Sequence, residues 1–412
     1  MTTPPPTVRA ALVGGPMYDP LYDAIAAFEQ QAQVRVDVVA QLPHPELNRF
    51  VTHALESGEP LDVISTHTKY APSQAAWLSP LDEVMPDALV GDLLPRPAQL
   101  SRIDGKLLQI PRNLDVRLLH YRSDLIPRVP QTWTELIDTA DEVTRASGCY
   151  GFLFPGRDSG LFGTFYELLI GAGGDLFDRD LQPAFDSPAG RWAVQQIVAL
   201  HHTRRVTPRD LPNWHYDEIS ASFRAGDAAM VTDWPGSYHL YRDPATCVVA
   251  DRVGLALLPA GPTGRRAAYA GCHSFAIPRS ARQPEHAAAL VRHLTSFEAQ
   301  LGEARRGAIP CRASALSAVR SEDAADPAAA HRWDLLAETE KTMIIPPRFA
   351  AYPLCEDALW RNVQRAMIGE RSAVDALRQA SADVQSIVAA HVSPVEAGLQ
   401  TRLPIRSGRD RS

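Results

Sequence analysis

The chain has 412 residues, 45% of them hydrophobic and 22% charged, with a formal net charge of −7. That length exceeds what one hydrophobic core organises, so two domains of a soluble globular protein are expected. The acidic balance argues against a nucleic-acid partner, and no apolar run reaches the roughly 18 residues that a membrane-spanning helix needs. Basic charge is almost all arginine, with lysine only at Lys69, Lys106 and Lys341. The five cysteines (Cys149, Cys247, Cys272, Cys311, Cys355) are scattered without any C-x-x-C spacing. They supply neither a zinc knuckle nor a disulfide framework and read, for the most part, as small buried residues.

The start, MTTPPPTVRAAL, lacks the basic and apolar regions of a secretory signal. Val8 to Val13 alternates as a strand and runs into a tight loop at Gly14-Gly15-Pro16. Asp19-Pro20 opens a helix whose Leu21, Ile25 and Phe28 recur at helical spacing. A strand over residues 34–39, a helix over 45–55 and a strand over 61–65 follow. This β-α-β-α-β rhythm predicts a parallel sheet with right-handed crossovers. It gathers Gly15, Thr66 and His67 at the carboxyl edge, where open α/β sheets bind ligands. Residues 105–121 read as two strands bent at Ile110-Pro111, because proline is poorly tolerated inside a central strand.

Thr132 with Glu135 makes a capping box for a helix running to Ser147. Residues 150–154 are expected to form a strand, and 162–170 a helix stopped by Gly171. The loop between them carries Arg157. Pro188 starts a helix extending through His202, and Asp217 is placed to cap one that stops at Gly226. Residues 228–231 form a short buried strand that ends in Asp233-Trp234-Pro235-Gly236, setting an indole at its carboxyl end. A strand over 253–258 and one through Gly271-Cys272-His273 precede a helix over 284–300. The tail at 393–412 is polar, Arg-rich and unpatterned, and is expected to be disordered.

Phe223-x-x-Gly226-Asp227-Ala228-Ala229-Met230, followed by Trp234, resembles the "F-x-x-G-K-A-A-M … G-x-W" box of family 1 extracellular solute-binding proteins, the mostly sugar-specific receptors of bacterial ABC importers. Asp227 and Asp233 depart from that box. The resemblance continues through Ala75-Ala76-Trp77-Leu78-Ser79-Pro80-Leu81-Asp82-Glu83, the helix from Pro130, Pro259-Ala260-Gly261-Pro262 and Pro310-Cys311-Arg312, and extends in order over about residues 7–392. Where the family usually has "G-G-W", this chain has Gly271-Cys272-His273.

The resemblance implies an α/β, two-lobed periplasmic-binding-protein fold of type II, like that of maltose-binding protein. Its lobes would be 1–111 with 276–328, and 112–275 with 329–392, joined by a hinge. It further implies a monomer that closes on a sugar, polyol or sugar acid and presents it to membrane permease subunits. That work is done in the periplasm or outside the cell, with the signal peptide absent from this chain. A cytoplasmic ligand sensor and an unrecognised cleft enzyme are the alternatives.

Catalytic and cofactor signatures are missing: there is no P-loop, H-E-x-x-H or G-x-S-x-G. Gly171-x-Gly173-Gly174 follows a helix rather than a strand, so it reads as a helix stop. Cys272 and His273 are strand neighbours that face opposite sides, which disfavours a thiolate–imidazole pair. No cofactor or metal is expected. Trp234 offers a flat face for ring C–H groups, or else fills a buried corner. Asp115, Asp233 and Arg312 are suited to strong hydrogen bonds with hydroxyls, or to structural pairs and turns. The resemblance places Arg117 and His273 on its two chain crossings between lobes, and Arg348 precedes the last helices. Arg112, Arg157, Arg312 and Arg348 near cleft loops raise an anionic ligand as a possibility, since guanidinium forks match carboxylate or phosphate.

Overall fold

The computed structural model describes residues 4–392; the tail assigned to 393–412 lies outside the described residues. The expected β-α-β-α-β start is present as β1 (Thr7–Val13), α1 (Asp19–Ala32), β2 (Arg35–Leu42), α2 (His44–Ser57) and β3 (Val63–His67). β1 pairs in parallel with both β2 and β3, and Leu21, Ile25 and Phe28 of α1 are buried as their spacing requires. Thr66 and His67 are the last residues of β3 rather than part of the loop after it.

Pro111 does not bend the chain. It lies inside β4 (Ile110–Val116), opposite Ser274, where a register shift lets two β4 residues face one step of the partner. A bulge of that kind is one of the few places a central strand tolerates proline. The break falls later, at Arg117, before β5 (Leu118–Arg122). Next come α3 (Trp133–Ser147), α4 (Asp158–Gly171), α5 (Pro188–Val198) and α6 (Tyr216–Arg224). Thr132 caps α3 by accepting from the Glu135 backbone, while the Glu135 carboxylate accepts from Gln131 N, one residue before the cap. Residues 150–154 form only two isolated bridges, Tyr150 to Ala228 and Leu153 to Val231. His215, not Asp217, stands at the start of α6, where Glu218 bonds back to its backbone.

The second half holds β6 (Met230–Asp233), α7 (Ser237–Arg242), β7 (Val253–Ala256), β8 (Ala268–Ala276), α8 (Pro284–Leu294), α9 (Phe297–Ala304), β9 (Ile309–Pro310), α10 (Ala313–Asp323), α11 (Pro327–Glu340), β10 (Met343–Ile344), α12 (Tyr352–Met367) and α13 (Ala373–His391). The single helix expected over 284–300 is split because the Ser296 hydroxyl accepts from Ala299 N and starts a new N-terminus.

A seven-stranded sheet runs β9-β4-β8-β3-β1-β2, with β10 added to β8, and a three-stranded sheet runs β6-β5-β7. Two hydrophobic cores result. The smaller gathers β1 to β3, α1, α2, Leu107 to Ile110 and Phe275 to Leu294; the larger holds most of the chain from Leu114 to Cys272 and from Leu301 to Val388. β4 and β8 pair antiparallel and pass from one core to the other: Phe275 packs in the smaller, Tyr269 and Cys272 in the larger. These two strands are therefore the main covalent crossings between two bodies.

Candidate functional site

Strand ends and helix starts from both bodies meet beside the crossing strands. β3 delivers His67, β8 delivers His273, and the first residue of α2 is His44. His44 lies 4.5 Å from His273 and 5.3 Å from His67 between ring centroids, and His67 lies 5.3 Å from His273. Burial, followed by the neighbouring His273, pushes the His44 imidazole well below its usual range. Burial, followed by His44, does the same to His67. β4 contributes Asp115, whose carboxylate lies 3.0 Å from His273 Nε2 and accepts from the Asn113 amide at 2.7 Å. The Tyr18 hydroxyl, from the turn after β1, is 3.3 Å from the same His273 nitrogen. Gly15 sits in this turn at φ 132°, a backbone angle that side chains resist.

The opposing wall is aromatic. Trp234 follows β6 and is half-buried, with its ring 5.1 Å from Tyr216 and 5.8 Å from Tyr269. The Arg117 guanidinium lies 5.9 Å from the Trp234 ring and 5.5 Å from Tyr269. Its fork is occupied: Nε and Nη2 donate to Glu167 at 3.0 and 2.9 Å, with both side chains fully buried. Asp233 is also fully buried, accepting from the Tyr241 hydroxyl and from Trp234 N at 2.8 Å. Burial raises its carboxyl to about 6, against the pull of those hydrogen bonds.

Several polar atoms at this junction are shielded from solvent yet lack a protein partner: both ring nitrogens of His44, Nδ1 of His273, Nε2 of His215, the Tyr216 hydroxyl and Oδ1 of Asn113. Such groups are costly to leave unsatisfied in a folded interior. A cavity of about 20 Å³ lies among Tyr18, Arg112, Asn113, Asp115, Gly236 and Glu303. Beside it a larger one of about 450 Å³ opens past Met17, His239, Leu240 and Arg242. Across the same junction Arg157 reaches Glu46 at 3.4 Å and Arg49 reaches Asp158 at 3.8 Å, joining α2 to the start of α4.

The residues singled out from sequence divide into two groups. His67, Asp115, His273 and Trp234 face the junction together with Gly15. Thr66 instead donates to Gln74 at 2.6 Å, and Arg117 is held by Glu167. Arg157 pairs with Asp158 at 2.7 Å; Arg312 pairs with Asp92 at 2.8 Å; Arg348 donates to the Thr68 and Arg102 carbonyls. Arg112 is bound to Glu303 at 2.9 Å. Each of the four arginines that suggested an anionic ligand thus has an internal partner, while Nη1 of Arg112 is buried without one. Sequence reading missed Tyr18, His44, Asn113, Tyr216 and Tyr269. His44 could have been found, since it follows the second strand at the same carboxyl edge as Gly15. Among the described residues, no group of three or more His, Cys, Asp or Glu side chains is arranged to hold a metal ion. None of their helices is long and apolar enough to cross a membrane.

Two cores joined by paired crossing strands, with a polar and aromatic junction between them, define a two-lobed binding protein of the maltose-binding-protein type. Residues 14–301 match the family described as bacterial extracellular solute-binding protein, and the chain belongs to that family. A probable ABC transporter-binding protein of Deinococcus radiodurans is 30% identical over 235 residues, covering 54% of this chain and 55% of that protein. A mannitol-binding protein of Pseudomonas aeruginosa is 28% identical over 232 residues, covering 53% and 52%. The matched region thus spans about half the length of these relatives. Among solved structures, maltose-bound MalE3 of T. maritima superposes with a TM-score of 0.85 at 26% identity, covering 92% of this chain and 99% of that one. A solute-binding protein of Agrobacterium vitis S4 with bound D-mannitol gives 0.81 at 23% identity, covering 93% and 98%, and supports the fold alone.

Proposed function

We propose that this protein binds a small polyhydroxylated solute, a sugar, polyol or derivative, between its two lobes and hands it to the permease of an ABC importer. The observation that carries this is the junction itself: an aromatic wall of Trp234, Tyr216 and Tyr269 faces imidazole, phenol and amide groups left without protein partners. Neutral imidazoles and hydroxyls both donate and accept, as each hydroxyl of a sugar does, and a flat ring suits sugar C–H faces. Relatives and neighbours named for mannitol or holding maltose support the same class. In this reading the protein binds its solute without converting it and acts as a monomer outside the cytoplasmic membrane.

The lobes are proposed as 1–111 with 276–328 and 112–275 with 329–392. The smaller core, which draws on β1 to β3 and on α8, supports the first part of that division; Leu301 to Val319 pack with the larger core. Ligand touching both lobes favours the closed arrangement.

A thermal-shift screen over sugars and polyols tests the reading. A true ligand at about 100 times its Kd should stabilise by about 2.7 kcal/mol, and small-angle scattering should show a smaller radius of gyration at saturation. Absence of any stabilising sugar, polyol or derivative would overturn the reading.

A further inference from the structure

Helix α2 and the start of α4 belong to different bodies yet meet at the rim of the junction. Leu47, Val51 and Leu55 of α2 pack in the smaller core, and Leu161, Phe162 and Phe165 of α4 in the larger. Where they meet, four charged side chains close a ring of alternating sign. Arg157 lies 3.4 Å from Glu46, Glu46 lies 3.4 Å from Arg49, Arg49 lies 3.8 Å from Asp158, and Asp158 lies 2.7 Å from Arg157. Two of these contacts cross between the bodies and two stay within one.

Parting the bodies costs this ring little. Each side keeps a neutral pair of its own, Glu46 with Arg49 and Arg157 with Asp158, and Arg157 stays anchored through Nε to the Asn213 carbonyl. No charge is stranded, so the crossing contacts can form and break reversibly. Other charged groups around the ring leave it intact. Arg361 of α12 is engaged by Asp357 at 2.7 Å, and Lys69, after β3, by Glu356 at 2.7 Å. His215 is kept neutral by burial, with Arg157 adding to the effect. Asp217, exposed at the start of α6, sets a like charge near Glu46 and weakens the attraction only in part. Glu46, Arg157 and Arg49 are 32%, 31% and 57% exposed, so dissolved ions reach the ring and screen it.

We propose that this ring is a clasp between the two bodies, favouring their closed arrangement with or without solute, and that its strength is set by ionic strength. This rests on reading the two bodies as lobes that open and close, and it adds a salt-dependent contribution to that equilibrium. One part-exposed ion pair changes an equilibrium by at most about fivefold. Two crossing pairs together therefore shift the closed-to-open ratio by about threefold or more, while the clasp remains easy to break.

Small-angle scattering of the protein without solute tests it. In about 20 mM buffer, Glu46→Arg and Arg157→Glu should each enlarge the radius of gyration, because each turns a crossing attraction into a repulsion. The two changes combined set two positive side chains on α2 against two negative ones at α4, and should return the radius to the parent value. Should Arg157→Glu fail to fold, Arg49→Glu on the exposed face of α2 serves as the second single variant. Raising sodium chloride to about 500 mM should enlarge the parent and leave the single variants unchanged. Equal radii for parent and single variants, a parent indifferent to salt, or a double variant no more compact than the singles would each overturn the clasp. Adding maltose or D-mannitol judges the sugar-site reading separately. Compaction by sugar without any variant effect would overturn the clasp alone; variant effects without compaction by sugar would uphold the clasp and count against the sugar-site reading.

Discussion

Removing the charge of Arg117 separates a fold-holding role from a ligand-gripping one. Arg117 and Glu167 are both fully buried and joined by two parallel hydrogen bonds of 3.0 and 2.9 Å. Glu167 also accepts from Tyr269 N at 2.8 Å, and Arg117 reaches Thr164 Oγ1 at 3.3 Å. Burial pushes the Glu167 carboxyl upward and Arg117 opposes it, so Arg117→Met strands a carboxylate in the interior. Breaking a buried pair from one side costs about 3–5 kcal/mol, whereas replacing both partners with apolar groups is often neutral or stabilising. Arg117→Met should therefore lower the unfolding free energy by that amount, read as a lower urea midpoint at unchanged slope, and Arg117→Met with Glu167→Leu should recover most of it. Solute affinity of the folded double variant should stay within a few-fold of the parent. A single variant losing less than about 1 kcal/mol, the range of solvent-exposed pairs, would refute the buried-pair reasoning. Loss of affinity without loss of stability would move Arg117 into the binding site.

Trp234→Ala should weaken solute binding by at least about 2 kcal/mol, the usual threshold for an aromatic anchor, or roughly thirtyfold; normal affinity in a protein that melts earlier would make the ring packing alone. Asp233, raised by burial to about 6 from an ordinary 3.8, holds its proton more tightly folded than unfolded. Its contribution to stability is therefore fully present below pH 4 and lost as pH rises to 6, by on the order of 2–3 kcal/mol, and Asp233→Asn should abolish that slope in denaturant titrations across the window. Gly271→Ala would place a methyl 2.2 Å from His67 Cε1. It should therefore destabilise by about 1–3 kcal/mol through overpacking, and adding His67→Ala should relieve much of that loss.

Local signals in the chain were enough to place most elements. Leu21, Ile25 and Phe28 recur at helical spacing and are buried, and Thr132 caps its helix, because these features depend only on near neighbours. The order of alternating strands and helices likewise fixed the parallel start of the sheet and the carboxyl edge that carries His67. Pro111 marks where that local logic ends. Its tolerance inside β4 depends on a bulge opposite Ser274, more than 160 residues along the chain.

The site was decided almost entirely by tertiary structure, because it depends on who pairs with whom. An arginine is a ligand fork only if no carboxylate reaches it first. Glu303, Glu167 and Asp92, brought in from distant segments, occupy Arg112, Arg117 and Arg312. His44, His67 and His273 become one cluster only where the return strand β8 lies beside β3. Sequence determined which residue types reach the sheet edge. Long-range pairing, which no local pattern encodes, determined which of them still have hydrogen-bonding capacity to offer a solute.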